Sequence, residues 1–174
     1  MLLALDPSSN RCGVAIFLDG VLIVADVVTV PKGDKHKCPM RQAVDMSTRV
    51  ALWCADYKIT GLVVEWPKIR SATKAKGDPN HNVPLAGVCV GVALALGLSV
   101  EACHAYLPKE WTASVPKKET VKGAKKSPRA IRIKSRLHGT ELKIWQGVKY
   151  HDTIDAIGIG LKYLGRYERQ RRKV

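Results

Sequence analysis

Three apolar, β-branched runs follow one another at the start of the chain, and the residues between them fix how they connect. The first, residues 2–5, ends in Asp6, and Pro7, Ser8, Ser9 and Asn10 then supply turn chemistry before "GVAIFLDG" resumes. Asp19-Gly20, a strong hairpin dipeptide, separates that run from "VLIVADVVTV". The pattern predicts three antiparallel strands in succession. Asp6 has a purely local role open to it, since its carboxylate can cap the turn that follows.

Beyond the third strand the period changes. A polar, basic stretch leads to residues 40–57, where Ala43, Val44, Val50, Ala51, Trp53 and Cys54 recur roughly at helical spacing. "ITGLVVEW" reads as a fourth strand that again ends in an acid, Glu65. "PKIRSATKAKGDPNHNVP" is a long basic loop. A buried helix is expected over 84–96 and a fifth strand near "LSVEACH". Residues 116–136 hold nine basic side chains against Glu119 alone, which predicts a basic loop over about 116–127. That loop runs into a helix starting at Ser127-Pro128, where proline suits the first turn. The last helix, 150–167, carries Ile154, Ile157, Leu161 and Leu164 along one face, and a basic tail occupies about 166–174. The whole predicts one domain, 1–174, of α/β class: a mixed five-stranded sheet, its first three strands antiparallel, flanked by helices.

Charge narrows the partner. The chain has 29 Lys and Arg against 15 Asp and Glu, a net +14. Residues 1–101 hold 11 basic and 9 acidic side chains, while 102–174 hold 18 and 6, so the excess sits in one part of the chain. Such concentration points to a polyanion, nucleic acid first. Phosphate contacts need charge and reach more than fixed geometry. Lys117, Lys118, Lys122, Lys125 and Lys126 are therefore the candidate DNA-binding residues, joined by Lys68 and Arg70 in the earlier loop. The five cysteines, Cys12, Cys38, Cys54, Cys89 and Cys103, are odd in number and form no C-x-x-C pair, so they read as buried thiols in a reducing compartment. No basic leader precedes the first strand, and the longest apolar run, 85–100, is short for a membrane span and interrupted by glycine. A cytoplasmic protein without a membrane partner is expected.

Asp6 and Glu65 share one property: each ends an otherwise apolar strand. In α/β sheets strand ends are where sites collect, and if these strands are neighbours both carboxylates leave one edge. "YHDTIDAIGIG" adds Asp152 and Asp155, three apart and so on one helical face. An acid in a first helical turn is favoured by the helix dipole, but Asp155 borders the apolar part of the helix. Two like charges at that spacing ask for a compensating cation, and four carboxylates can hold two hard divalent cations through oxygen. Asp6, Glu65, Asp152 and Asp155 are thus the candidate catalytic and metal-binding residues. His151 and His104 are lesser candidates, and Trp111 reads as a packing residue.

Taken together, "LALDPSSNRCGVAIF", "GLVVEWP" and "HDTIDAIGIGLKYL" resemble the RuvC family of Holliday-junction resolvases, within the RNase H-like nuclease superfamily. In that family an Asp ends the first strand before a Pro-containing turn and a later Gly, as Asp6, Pro7 and Gly13 do. A Glu ends the fourth strand, as Glu65 does, and the closing helix carries an acid or His three residues before Asp-Ala, as Asp152, Asp155 and Ala156 do. Pro7-Ser8-Ser9 departs from the commoner Pro-Gly. The loop after Glu65 lacks the aromatic often placed there to wedge into the junction, Trp66 being the nearest. The resemblance implies an RNase H-like fold, two Mg²⁺ per active site with Mn²⁺ as a substitute, and hydrolysis that leaves 5′-phosphate and 3′-hydroxyl. It also implies a four-way DNA junction as substrate, a homodimer, and a lysine of the basic loop near the site. The short chain suits a phage or viral member working in the host-cell cytoplasm. Two alternatives stay open: an RNase H-like nuclease acting on RNA or RNA·DNA hybrid, and a non-catalytic nucleic-acid-binding protein, which explains the charge but not the acids.

Overall fold

In the computed structural model, residues 1–31, 38–67, 82–112 and 127–167 are described. β1 (Leu2–Asp6), β2 (Arg11–Leu18) and β3 (Val21–Thr29) form the expected meander, each antiparallel to the next. Its second turn rests on Asp19 and Gly20, with φ of 50° and 81°, the two positive values a tight hairpin of this hand requires. β4 (Gly61–Glu65) joins the other side of β1 in parallel, and β5 (Cys103–Tyr106) lies parallel beyond it. The sheet is therefore mixed, five-stranded and ordered β3-β2-β1-β4-β5. Parallel neighbours need crossovers, and the helices α1 (Pro39–Trp53) and α2 (Val83–Ala95) lie on them. The remaining helices are α3 (Pro108–Thr112), α4 (Pro128–Lys134), α5 (Thr140–Gly147) and α6 (His151–Tyr163).

The period-two alternation of the strands divides the core into two layers. Leu3, Leu5, Val14 and Ile16 turn to one face, where they meet Met46 and Val50 of α1 and Val88 and Val92 of α2. Ala4, Ala15, Phe17 and Val63 turn to the other, toward Ile154, Ile157 and Leu161 of α6. Small residues there let the helix come close. A Cβ on Gly160 would stand 2.1 Å from the Phe17 ring.

Several elements differ from expectation for local reasons. α6 stops at Tyr163 rather than 167 because a Schellman turn closes it: Arg166 N donates to Leu161 O at 2.8 Å and Gly165 N to Lys162 O at 3.0 Å, with Gly165 at φ 69°. It is also buried on every side from Thr153 to Leu161, not along one face, since α3 and α4 cover its outer surface. α3 and α5 were not expected. Each is short but carries an acid that reaches back to its own start: Glu110 accepts Leu107 N–H at 2.6 Å, and Glu141 accepts His138 N–H at 2.9 Å. Val100–Ala102 forms a 3-10 turn that shortens the fifth strand. The cysteines are free, but only Cys12, Cys54 and Cys89 are buried: Cys38, just before α1, is exposed and Cys103 is half-buried. No helix among the described residues is long and apolar enough to cross a membrane.

Candidate active site

Since Leu5 stands opposite Val64 in the parallel pair β1–β4, the residues that follow them, Asp6 and Glu65, lie side by side at the carboxyl ends of the two strands. Alternation puts both on the face of Ala4 and Val63, toward α6. β2 brings in a third acid. Gly13 is the register partner of Asp6, and a Cβ on it would fall 1.9 Å from the backbone oxygen of Asp152. The missing side chain lets the first turn of α6 rest on the strand, so that Asp152 arrives beside Asp6. Two buried thiols sense this edge from behind. Burial is the main cause that pushes the Cys12 thiol well up, and the charges of Asp6 and Asp152 push it the same way. Burial likewise pushes Cys89 up to about 12, with Asp6 and Glu65 adding to it. Both thiols stay protonated at neutral pH, which removes them as nucleophiles.

Glu65, Asp152 and Asp155 are each held by a donor. Trp111 Nε1 donates to Glu65 Oε2. Arg11 Nε donates to Asp152 Oδ2, while its guanidinium lies 5.1 Å from the centre of the Tyr150 ring. Arg129 Nη1 donates to both oxygens of Asp155 at 3.0 Å, in a pair whose residues are only 7% and 5% exposed. Asp152 and Asp155 do sit one turn apart as expected, but Asp152 is half-buried at the sheet edge and Asp155 is buried deeper. The cations that stand against them in this structure are arginines of the chain itself. Arg11, Trp111 and Arg129 were not expected at this site. Arg11 lies two residues before Gly13, but no spacing pattern marks it, or the other two, as a partner of an acid.

The lesser candidates are placed elsewhere. His104 faces Val63, two positions before the strand ends, and packs on Tyr106 and Tyr163 with ring centres 4.4 and 5.6 Å away. His151 opens α6, half-buried. Trp66 donates its backbone N–H to Tyr106 O at 2.7 Å, and its side chain packs on the α1/α2 layer. Trp111 is fully buried, a packing residue as expected and also a hydrogen-bond donor. Lys68, Arg70, Lys117, Lys118, Lys122, Lys125 and Lys126 lie outside the described residues.

The donors gathered at this edge are carboxylate oxygens, the type that Mg²⁺ and Mn²⁺ take. Among the described residues no three His, Cys, Asp or Glu side chains stand close enough to share one ion. Arg11, whose side chain is 46% exposed, can leave Asp152 at little cost, because exposed ion pairs contribute about 0–1 kcal/mol. Asp6, Glu65 and Asp152 offer the oxygen donors that a hard divalent cation takes, and Asp155 is held through both of its oxygens by Arg129.

No protein-family model matches the sequence, and no curated protein matches it. Solved structures match its fold. The structure of Thermus thermophilus RuvC in complex with a Holliday junction substrate superposes with a TM-score of 0.61 at 12% identity, covering 95% of this chain and 96% of that one. A second T. thermophilus RuvC structure gives a TM-score of 0.55 at 14% identity, with the same coverage. The chain has the RuvC form of the RNase H-like fold.

Proposed function

We propose that this chain is a divalent-metal-dependent endodeoxyribonuclease that resolves four-way DNA junctions by paired phosphodiester hydrolysis. The observation that carries this is the meeting of Asp6, Glu65 and Asp152, from two adjacent strand ends and one helix start, in a fold shared with a protein whose structure holds a Holliday junction. Asp6 would be shared between the metals, with Glu65 and Asp152 each favouring one. Bound there, a pair of Mg²⁺ ions, replaceable by Mn²⁺, would neutralise the phosphate, activate the attacking water and stabilise the leaving 3′ oxygen, giving 5′-phosphate and 3′-hydroxyl ends. Arg11, once released from Asp152, is a cation at the rim for the DNA backbone.

The net charge of +14 supports a nucleic-acid substrate, and acids at one edge of such a chain would weaken that binding unless a cation masked them. Lys117, Lys118, Lys122, Lys125 and Lys126, with Lys68 and Arg70, would supply the phosphate contacts. A junction separates into two duplexes only when opposed strands are both cut, so one active site per chain calls for a symmetric homodimer.

The test compares cleavage of a four-way junction, a linear duplex of the same sequence and an RNA·DNA hybrid by the parent and by Asp6→Asn. The expected result is junction cleavage that stops in EDTA, and an Asp6→Asn protein that binds the junction at least as tightly without cutting it. Preferential cutting of the hybrid would replace this reading by an RNA-processing one. Junction binding with no cleavage of any substrate would leave a binding protein.

A further inference from the structure

We infer that Trp111 is a positioning residue that orients the carboxylate of Glu65 for the reaction, and that Arg129, stacked on its ring and tied to Asp155, positions Trp111 in turn; this rests on the nuclease reading above. Trp111 is fully buried, yet its indole N–H is directed at Glu65 Oε2. The face of the same ring carries the Arg129 guanidinium, 4.9 Å from its centre, and Arg129 Nη1 reaches both oxygens of Asp155. A continuous chain of contacts, Glu65–Trp111–Arg129–Asp155, therefore joins an acid of β4 to an acid of α6 through α3 and α4. The helix is cut back to admit it. A Cβ on Gly158 would stand 2.8 Å from the Trp111 ring and 2.9 Å from Ile133.

Packing alone does not account for these two residues. Any large apolar side chain would fill the place of Trp111, but only tryptophan among them carries an N–H at its edge. Arg129 leaves its Nε buried with no hydrogen-bond partner, a cost that an apolar residue of the same volume would avoid. What the pair supplies is direction. The indole N–H holds one oxygen of Glu65 and so restricts how its carboxylate can turn. Groups that orient ligating side chains in this way typically matter by about 10–100-fold in metal affinity or activity when removed. In the sequence Trp111 and Arg129 stand on either side of the lysine-rich stretch 113–126.

The experiment uses Trp111→Phe, which keeps a buried ring under Arg129 and removes only the N–H, and Arg129→Lys, which keeps the charge and removes the planar stack. Mn²⁺ binding is measured without DNA, from the free-ion signal in electron paramagnetic resonance, beside the parent and Glu65→Gln. Junction affinity in Ca²⁺ and the thermal midpoint are measured on the same samples. The expected result for Trp111→Phe is Mn²⁺ affinity lowered about 10-fold or more, with junction affinity within about 2-fold of the parent. Arg129→Lys is expected to follow it. Trp111→Phe holding Mn²⁺ within 3-fold of the parent, while Glu65→Gln loses it, would overturn the positioning role and leave the nuclease reading standing. Equal Mn²⁺ binding by the parent and Glu65→Gln would overturn both.

Discussion

Gly13→Ala tests how Asp152 is delivered to the sheet edge. The added Cβ would lie 1.9 Å from the Asp152 oxygen, 2.2 Å from its carbonyl carbon and 2.9 Å from Thr153 N, all backbone atoms that no rotamer change can move. Gly13 is paired on both sides, with Asp6 in β1 and Val27 in β3, so the strand cannot yield. The first turn of α6 is itself tied down by Thr153 Oγ1, which donates to Asp26 O at 3.0 Å. Restoring ordinary contact requires helix and strand to part by roughly 1.5 Å, and overpacking of this kind costs about 1–3 kcal/mol. A catalytic group displaced by roughly 1 Å can lose on the order of 10²-fold in rate. Urea unfolding should therefore show a lower midpoint, and single-turnover cleavage of a labelled four-way junction should slow about 100-fold with junction binding retained. Gly61→Ala is the control: its nearest neighbour would be Leu2 Cδ1 at 3.4 Å, and both midpoint and rate should stay at the parent values. Cleavage by Gly13→Ala at the parent rate, with an unchanged midpoint, would refute the close contact as the means of placing Asp152.

Glu141 gives a pH signature of stability. Burial pushes its carboxyl up, but Arg166 and the N–H groups of Leu22 and His138 outweigh this and hold it below the usual carboxylate range. A depressed folded value stabilises above the unfolded value of about 4.3 and is lost as pH falls through the folded one, so the urea midpoint should drop below about pH 4 and Glu141→Gln should flatten that drop. Glu141→Ala, which strands Arg166 against Gly20 O and Arg136 O, should cost about 3 kcal/mol at pH 7 by urea unfolding. Replacing Lys117 by Ala should lower the salt slope of junction binding by about one unit, and an unchanged slope would remove that residue from the interface. A homodimer should convert a supercoiled cruciform plasmid mainly to linear product, whereas persistent nicked circles from a sedimenting monomer would remove the paired-cut mechanism.

What the sequence made legible was what repeats or punctuates locally. The meander could be read because Asp19-Gly20 and the turn after Asp6 mark its corners, and Asp6 and Glu65 stood out because an acid closing an apolar strand is conspicuous. That the two strands are neighbours is a tertiary fact, decided by the crossover, and only the register Leu5 to Val64 sets the acids side by side. α3 and α5, five and eight residues long, are too short to develop a period; their marks were Pro108 with Glu110, and Glu141, which reach back to the helix start. Arg11, Trp111 and Arg129 were invisible as partners because hydrogen-bond pairing across 26 to 141 residues leaves no spacing in the chain.

Those arginines also change what the acids imply. From sequence, like charges at Asp152 and Asp155 ask for a cation from outside; in the structure each already has one, and the two pairs differ in kind. Arg129 and Asp155 are 7% and 5% exposed, so removing either partner would leave a buried charge uncompensated, a loss of about 3–5 kcal/mol that makes the pair permanent. Arg11 has a side chain 46% exposed and Asp152 one 25% exposed, and a pair in contact with water contributes about 0–1 kcal/mol and can be exchanged. The acidic edge is thus divided into a fixed half, which sets geometry through Trp111 and Arg129, and an exchangeable half at Asp152. On the nuclease reading, a cation entering at Asp152 would displace Arg11 and leave it at the rim, where a phosphate backbone would arrive.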